Sequence, residues 1–413
     1  MSEKNVNLTV ASLEVTTTEQ ANPAIPTWFA EALLLGQYWQ HCGLLERLQQ
    51  QAHVNRGRMG KYEVCDFVLL LLAYAVSGLT SLEAFFEQLS SVASVLMSVW
   101  GRQHCPVAST LSRFLADVDN DAVEALRELF ESALLEHSPI GPELGVTDRS
   151  GKRWMVFDVD GTTKAVRHRV LLTQNTHPVL KRRSRNACKP GYAGRKRGEA
   201  VRTRTTIEQA HTREWLGNFA EAGNCNSKED LKRSCTVIQR YCARSTSPVT
   251  ALLRLDGLYG GANYVTLLQQ RQMTYITRCR DYHLLKEPTV KAILATAPQQ
   301  QYLHPDSPEV TRDLFDIECL DATRCGYLEP MRLIIVRLIR FSKQKPSVGK
   351  CEVKYLYELF LTSLLPSCFS AADVLSLYNG RGGFEQTLSE EDREQDCDSW
   401  CSWQPEGQSF WQI

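Results

Sequence analysis

The chain has no apolar run long enough to cross a bilayer. Its longest, Phe67 to Val76, is ten residues, about half of what a membrane helix needs. The first twenty residues are polar and acidic, without the basic, apolar and small-residue succession of an export signal. Together these two absences predict a cytoplasmic protein with no membrane partner. Net charge is also missing: 47 Lys and Arg balance 47 Asp and Glu, so the chain as a whole is not a polycation. Its 14 cysteines include no CxxC pair, and Cys235 with Cys242 or Cys397 with Cys401 lack a second half with His. That spacing excludes the usual zinc modules and leaves reduced thiols, as expected in the cytosol. No tryptophan occurs between Trp215 and Trp400.

What is present begins with size. A chain of 413 residues with 43% hydrophobic content can bury a large core over two or three domains. Residues 1–27 lack periodic apolar positions and read as a flexible leader. From 28 to 150, apolar residues recur at three and four, as in Leu82-Phe85-Phe86-Leu89 and Val123-Leu126-Leu129-Phe130-Leu134, predicting a helical domain. Strand patterns follow at Trp154 to Asp160, Val201 to Thr206 and Val249 to Asp256, with a helix from Lys228 to Arg244. Alternation returns at 311–320, 332–341 and 353–364. The 129 positions between Asp256 and Glu385 (385 minus 256) exceed a strand-helix return, which predicts a β-rich insertion at about 285–350 in a domain spanning 151–413.

Three carboxylates stand out. Asp160 and Asp256 each close an apolar run and precede Gly, as when a strand delivers a polar side chain before a turn. Tyr378, Arg381 and Glu385 are spaced by three and four, which places them on one helix face. Asp158 shares a strand face with Asp160 and is the alternative first carboxylate. Such a set suits hard divalent cations that promote phosphoryl transfer. Charge is also segregated. Lys181 to Arg204 contains ten Lys or Arg and one acid, whereas Glu385 to Asp398 is acidic. Within the basic run, Lys189, Arg195, Lys196, Arg197, Arg202 and Arg204 are candidate phosphate contacts, with Gly191, Gly194 and Gly198 allowing close approach.

Asp160 in Asp-Gly-Thr-Thr, Asp256 in Arg-Leu-Asp-Gly, and Tyr378-x2-Arg381-x3-Glu385 resemble the DDE transposases of bacterial insertion sequences, in the subgroup with a Tyr-Arg-Glu-Lys signature. Pro106 to Leu115, Lys189 to Glu199, and Leu359 to Leu364 followed by Ser370 to Asp373 extend the resemblance over most of the chain from about Trp28. The resemblance implies an α/β fold with an RNase-H-like catalytic domain, interrupted by a β-rich insertion and preceded by a helical N-terminal DNA-binding domain. It implies DNA strand cleavage and strand transfer with Mg2+, or Mn2+ in its place, held by Asp160, Asp256 and Glu385, with Tyr378 and Arg381 at the phosphate. Its implied partners are double-stranded DNA with terminal inverted repeats, target DNA, and a second copy of the chain in the complex. Tyr302, Tyr327 or Phe341 would stack a flipped base in place of the insertion's usual tryptophan. Two departures stand against it. The family's lysine seven residues after the Glu is Asp392 here, with Arg393 beside it. The C-terminus at Ile413 also looks truncated. An inactive DNA-binding remnant and an RNase-H-like nuclease are therefore the alternative readings.

Overall fold

The computed structural model describes residues 6–10, 13–17, 25–56, 60–138, 144–165, 187–193, 197–244, 249–304, 307–339, 348–352, 354–396 and 398–413. Within the stretch expected to be an unstructured leader, β1 (Val6–Val10) and β2 (Leu13–Thr17) pair antiparallel. Val6, Leu8 and Val10 alternate, then Leu13 and Val15 do, a period-two signal that a search for helical repeats passes over.

Seven helices follow: α1 (Phe29–His41), α2 (Leu44–Gln51), α3 (Val64–Ser77), α4 (Leu82–Leu89), α5 (Ala93–Val99), α6 (Ala108–Asp117) and α7 (Asn120–His137). The apolar run that is too short for a membrane becomes α3, which is buried nearly all round, with Phe67, Leu69 and Leu70 fully enclosed. Phe67 stacks on Phe114 of α6 at 4.1 Å between ring centroids. Short side-chain caps set the helix starts: Ser81 accepts from the Ala84 N–H, and Asp119 from the Ala122 N–H.

The remaining strands are β3 (Val146–Thr147), β4 (Arg153–Ala165), β5 (Lys189–Tyr192), β6 (Arg197–Gln209), β7 (Glu214–Ala222), β8 (Thr250–Leu255), β9 (Thr274–Cys279), β10 (Gln300–His304), β11 (Ser307–Leu320), β12 (Met331–Ile339), β13 (Lys350–Glu352) and β14 (Tyr355–Thr362). They form one mixed twelve-stranded sheet whose main path runs β10-β11-β12-β14-β9-β8-β4-β6-β5, with β7 on β6. The β4–β8 and β8–β9 pairs are parallel. Helices α8 (Ser227–Ala243) and α9 (Ala262–Gln270) make the crossovers that parallel neighbours require. The strands expected as an insertion extend this same sheet, because β14 pairs with β9. α10 (Pro288–Leu294) lies among them.

Both faces of the sheet are covered. Met155, Phe157 and Val159 of β4 pack with Leu253 and Leu255 of β8 under α8 and α9. On the other face, Trp154, Val156 and Leu252 pack with α11 (Ala371–Asn379) through Val374, Leu375 and Tyr378. α12 (Gly382–Glu394) and α13 (Pro405–Gln412) follow. α13 lies against β6 and β7 through Ser409 and Gln412 and buries Phe410 and Trp411 in the core of the N-terminal helices. A Cβ on Gly407 would lie 1.9 Å from the Leu115 carbonyl oxygen, a backbone atom that has no room to move. Gly407→Ala should therefore lower stability by about 1–3 kcal/mol, read as a fall in the urea midpoint with an unchanged slope.

Candidate functional site

The parallel register of β4 and β8 builds the site. Val159 stands opposite Leu255, so Asp160 and Asp256 are the next neighbours, on strands spaced about 4.8 Å apart. Because Val159 and Leu255 face α8 and α9, both aspartates share the face covered by α11. Asp160 is not at a strand end as expected. β4 continues to Ala165, paired with β6 by Asp160 opposite Thr206 through Ala165 opposite Val201. Only the pairing with β8 stops there. Asp256 begins a turn in which its carboxylate accepts the Leu258 N–H, and the Arg280 guanidinium lies 3.5 Å from it.

One step inward on the same face, Asp158 stands opposite Arg254 on one side and Glu208 on the other. Asp158 is fully buried, and Arg254 grips both its oxygens, with Nε at 2.9 Å from Oδ1. Burial raises the Asp158 pKa, and Arg254 works against that rise. This closed pair engages both Asp158 oxygens inside the sheet. The third donor of Arg254, Nη1, reaches the Leu377 carbonyl at 2.9 Å and so ties the end of α11 to the sheet.

Tyr378, Arg381 and Glu385 occupy a helical path with a break. α11 ends at Asn379 and α12 starts at Gly382, with Gly380 and Arg381 in helical backbone angles between them. A Cβ on Gly380 would lie 2.6 Å from Arg254 Nη1, so glycine lets the junction pass over the buried guanidinium. Arg381 projects back to Asp160, donating through Nη2, and donates through Nη1 to Glu385 Oε1 at 2.9 Å. Glu385 is 68% exposed. Tyr378 is buried, with its ring 4.9 Å from that of Phe360 and under the Arg278 guanidinium at 5.3 Å. Burial raises the Tyr378 pKa, while Arg278 and Arg381 pull it down and Asp256 and Glu385 push it up. One side chain therefore lies within electrostatic reach of both carboxylates.

Arg381 joins Asp160 to Glu385, and the register joins Asp160 to Asp256. Even so, no group of three His, Cys, Asp or Glu side chains among the described residues is arranged to hold a metal ion. Arg381 pairs with Asp160 and Glu385, and Arg280 lies 3.5 Å from Asp256. The donor set is chemically suited to a hard divalent ion, in carboxylates that are at most partly covered. A cavity of about 410 Å³ at the start of β9, lined by Thr274, Arg332 and Thr362, contains none of them.

The basic run is changed more. Arg204 is buried and grips both Glu391 oxygens at 2.7 Å, with Asp398 at 3.0 Å. Arg202 is buried against the carbonyls of Ala187, Ala220 and Pro405 and the Gln412 side chain. Burial lowers its pKa to about 10. Neither is free to meet a DNA backbone, because β6 is covered on the face they share by the acidic segment and α13. Lys189 is exposed on β5. Arg195 and Lys196 lie outside the described residues, and Arg197 is described in backbone only. Asp392 pairs with Lys164 at 3.2 Å, so the position where the resemblance expects a lysine faces one from β4. Of the stacking candidates, Tyr327 is buried, its hydroxyl donating to the Gly260 carbonyl at 2.9 Å. Phe341 lies outside the described residues. Tyr302 is half-buried and accepts from Asn379 at 3.3 Å. Arg278 on β9 and Arg280 just beyond its end flank the carboxylates and were not anticipated, although Arg-x-Arg at the end of a strand pattern was a usable signal.

No family model and no curated protein matches the chain. Among solved structures, it is similar to the piggyBac transposase in its synaptic complex with hairpin DNA. That likeness covers 88% of this chain and 68% of the other, at 12% identity and a TM-score of 0.41, which is too loose to carry a conclusion.

Burial, reinforced by Asp158, pushes the Glu208 carboxyl up from its ordinary 4.5 to about 7. A raised folded-state pKa gives stability that is complete below about pH 4.5 and is lost as pH rises through 7. Glu208→Gln should flatten that decline by an amount on the order of 3 kcal/mol, measured by urea unfolding across pH 4 to 8.

Proposed function

We propose that this chain is a DDE transposase that cuts DNA at the ends of an insertion sequence and joins them to target DNA. The reading is carried by Asp160 and Asp256, which directly follow the last β4–β8 pair, Val159 and Leu255, with Arg381 brought to Asp160 from the α11–α12 junction and Glu385 held by Arg381 from α12. It is supported by the strand order β7-β6-β4-β8-β9, antiparallel to one side of β4 and parallel to the other, an order compatible with the RNase-H-like domain that the resemblance implies.

In this reading Asp160, Asp256 and Glu385 hold Mg2+, or Mn2+ in its place, and the metal when bound supplies activated water and stabilises charge on the leaving oxygen. Arg381 offers its planar fork to the phosphate. Arg278 and Arg280 extend the positive edge along β9, and Lys189 contributes on the β5 side. Tyr378 keeps α11 in place from below through Phe360. DNA with terminal inverted repeats, target DNA and a second copy of the chain are the partners.

The alternative of a DNA binder without catalysis is favoured by one observation. Lys164 is held by Asp392 and by Asp396 at 2.6 Å, so the position where the resemblance expects a cation is an acid that neutralises one. The two readings separate in a single experiment on DNA carrying this gene's own flanking ends. Wild-type protein should nick the boundary with Mg2+, and Asp256→Ala should abolish nicking while binding the same DNA within a few-fold. Cleavage surviving in the variant refutes the assignment of the site, and binding without cleavage by the wild type selects the non-catalytic reading.

A further inference from the structure

A second group of cations lies where α7 meets β5, β6, β7 and α8. It lines a cavity of about 350 Å³, in which Arg127, Lys189, Arg202 and Arg233 stand with Glu124, Glu221 and Glu406, and none of Asp160, Asp256 or Glu385 takes part. Arg127 and Arg202 are only 6% and 4% exposed. A buried charge is ordinarily paired with an opposite one, and here the pairing is incomplete. Arg202 donates only to neutral acceptors, the carbonyls of Ala187, Ala220 and Pro405 and the side chains of Ser409 and Gln412.

Arg127 and Arg233 share a single carboxylate. Both guanidiniums lie over the Phe219 ring, at 4.8 and 4.1 Å from its centroid. Glu124 accepts from Arg233 at 2.9 and 3.1 Å and only approaches Arg127, with Oε2 3.4 Å from Nε. That Nε is buried and meets no hydrogen-bond acceptor among the described residues, while Nη1 donates to the Asn218 carbonyl. Burial lowers the Arg127 pKa; Glu124 opposes the shift and Arg233 adds to it. Among the described residues neither Glu221, which is exposed, nor Glu406, which is half-buried, pairs with any of these cations. The cavity therefore keeps an excess of positive charge on its most buried wall, together with a donor that has no acceptor.

An anion with several oxygens supplies both the missing charge and the missing acceptor, and planar guanidinium forks match a phosphate group. The volume is within the range of small-ligand sites. We propose that this cavity takes a free phosphate group, inorganic or carried on a small molecule, gripped by Arg127 from α7 and Arg233 from α8, with Lys189 adding charge from β5. Bound there, the anion joins the N-terminal helices to the sheet, so its occupancy stabilises the fold by mass action. The site uses no metal and stands apart from the transposase reading.

The test uses the full-length protein at constant ionic strength. Inorganic phosphate is titrated calorimetrically, and urea midpoints are compared in phosphate and in chloride. Because phosphate also stabilises proteins by exclusion from their surface, the variants rather than the wild type alone decide. Wild-type protein should show saturable binding and a higher midpoint in phosphate. Arg127→Gln and Arg233→Gln should each weaken phosphate binding about tenfold, as loss of a charged hydrogen bond does, and should shrink the midpoint difference. Arg240→Gln removes a charge from the same helix as Arg233, at a side chain 63% exposed and outside the cavity, and should bind phosphate like the wild type. If Arg127→Gln fails to fold by circular dichroism, Arg233→Gln, at a side chain 34% exposed, decides. No saturable binding by the wild type, or equal weakening by Arg240→Gln, overturns the proposal. Displacement of phosphate by a short DNA duplex, lost in Arg233→Gln, also overturns it, because the cavity would then take backbone phosphates instead of a free anion.

Discussion

Arg254 distributes its donors between two layers of the molecule: Nε and Nη2 to the Asp158 carboxylate inside the sheet, and Nη1 to the Leu377 carbonyl at the end of α11. A carbonyl in the last turn of a helix lacks an intrahelical partner, so this bond satisfies both the helix and the guanidinium. It also sets where the chain emerges, three residues before Gly380, which passes over Arg254 with no space for a side chain. Everything that brings Arg381 and Glu385 to Asp160 lies downstream of that point. The buried pair is weak evidence for stability, since desolvation of two charges offsets much of their attraction. Its value is positional, because it is one register step from Asp160 and Asp256 and therefore fixes the helix against the same two strands that bear them.

The zero net charge follows from how the chain uses its ions. Acidic residues after Glu385 lie on basic strand residues: Glu391 and Asp398 on Arg204, Asp392 and Asp396 on Lys164. These contacts join α12 and the segment after it to β4 and β6, and they withdraw cations that would otherwise face solvent. The positive edge left near the carboxylates comes from β9, where Arg278 rests on the Tyr378 and Phe360 rings and Arg280 reaches over Gly257. Aromatic rings hold Arg278, and each cation also has an acidic neighbour, Glu358 at 3.4 Å from Arg278 and Asp256 at 3.5 Å from Arg280.

Much of the element pattern was legible because period and punctuation agree. Lys228 to Arg244 reads as a helix and forms one from Ser227 to Ala243, capped by Asn226. Thr250 to Leu255 and the strands near 311, 332 and 355 likewise follow their alternation. β7 was missed for a physical reason: a register shift opposite Ile207 and Glu208 inserts a residue and breaks the alternation of Trp215 to Phe219. In the site, the residue types around Asp160, Asp256 and Glu385 were legible, but their adjacency rests on a parallel register set by distant chain. Arg254 sat in plain view between Leu253 and Leu255, and only the neighbouring strand reveals its partner. Arg202 and Arg204 looked like surface cations because their run is basic, and they are buried because an acidic segment almost two hundred residues away covers them.

α13 carries a consequence for how the molecule is assembled. Phe410 meets Phe114 at 5.7 Å, and Trp411 meets Tyr74 at 5.0 Å, so the core of the first helices contains side chains made some three hundred residues later. Those helices leave the ribosome with an apolar trough that nothing upstream can fill. Their consolidation has to wait until the whole sheet has been synthesised, and the wait exposes sticky surface in the nascent chain. Closing a loop that long is slow, so the apolar faces of α3 and α6 that Trp411 and Phe410 cover stay open until the chain is nearly complete.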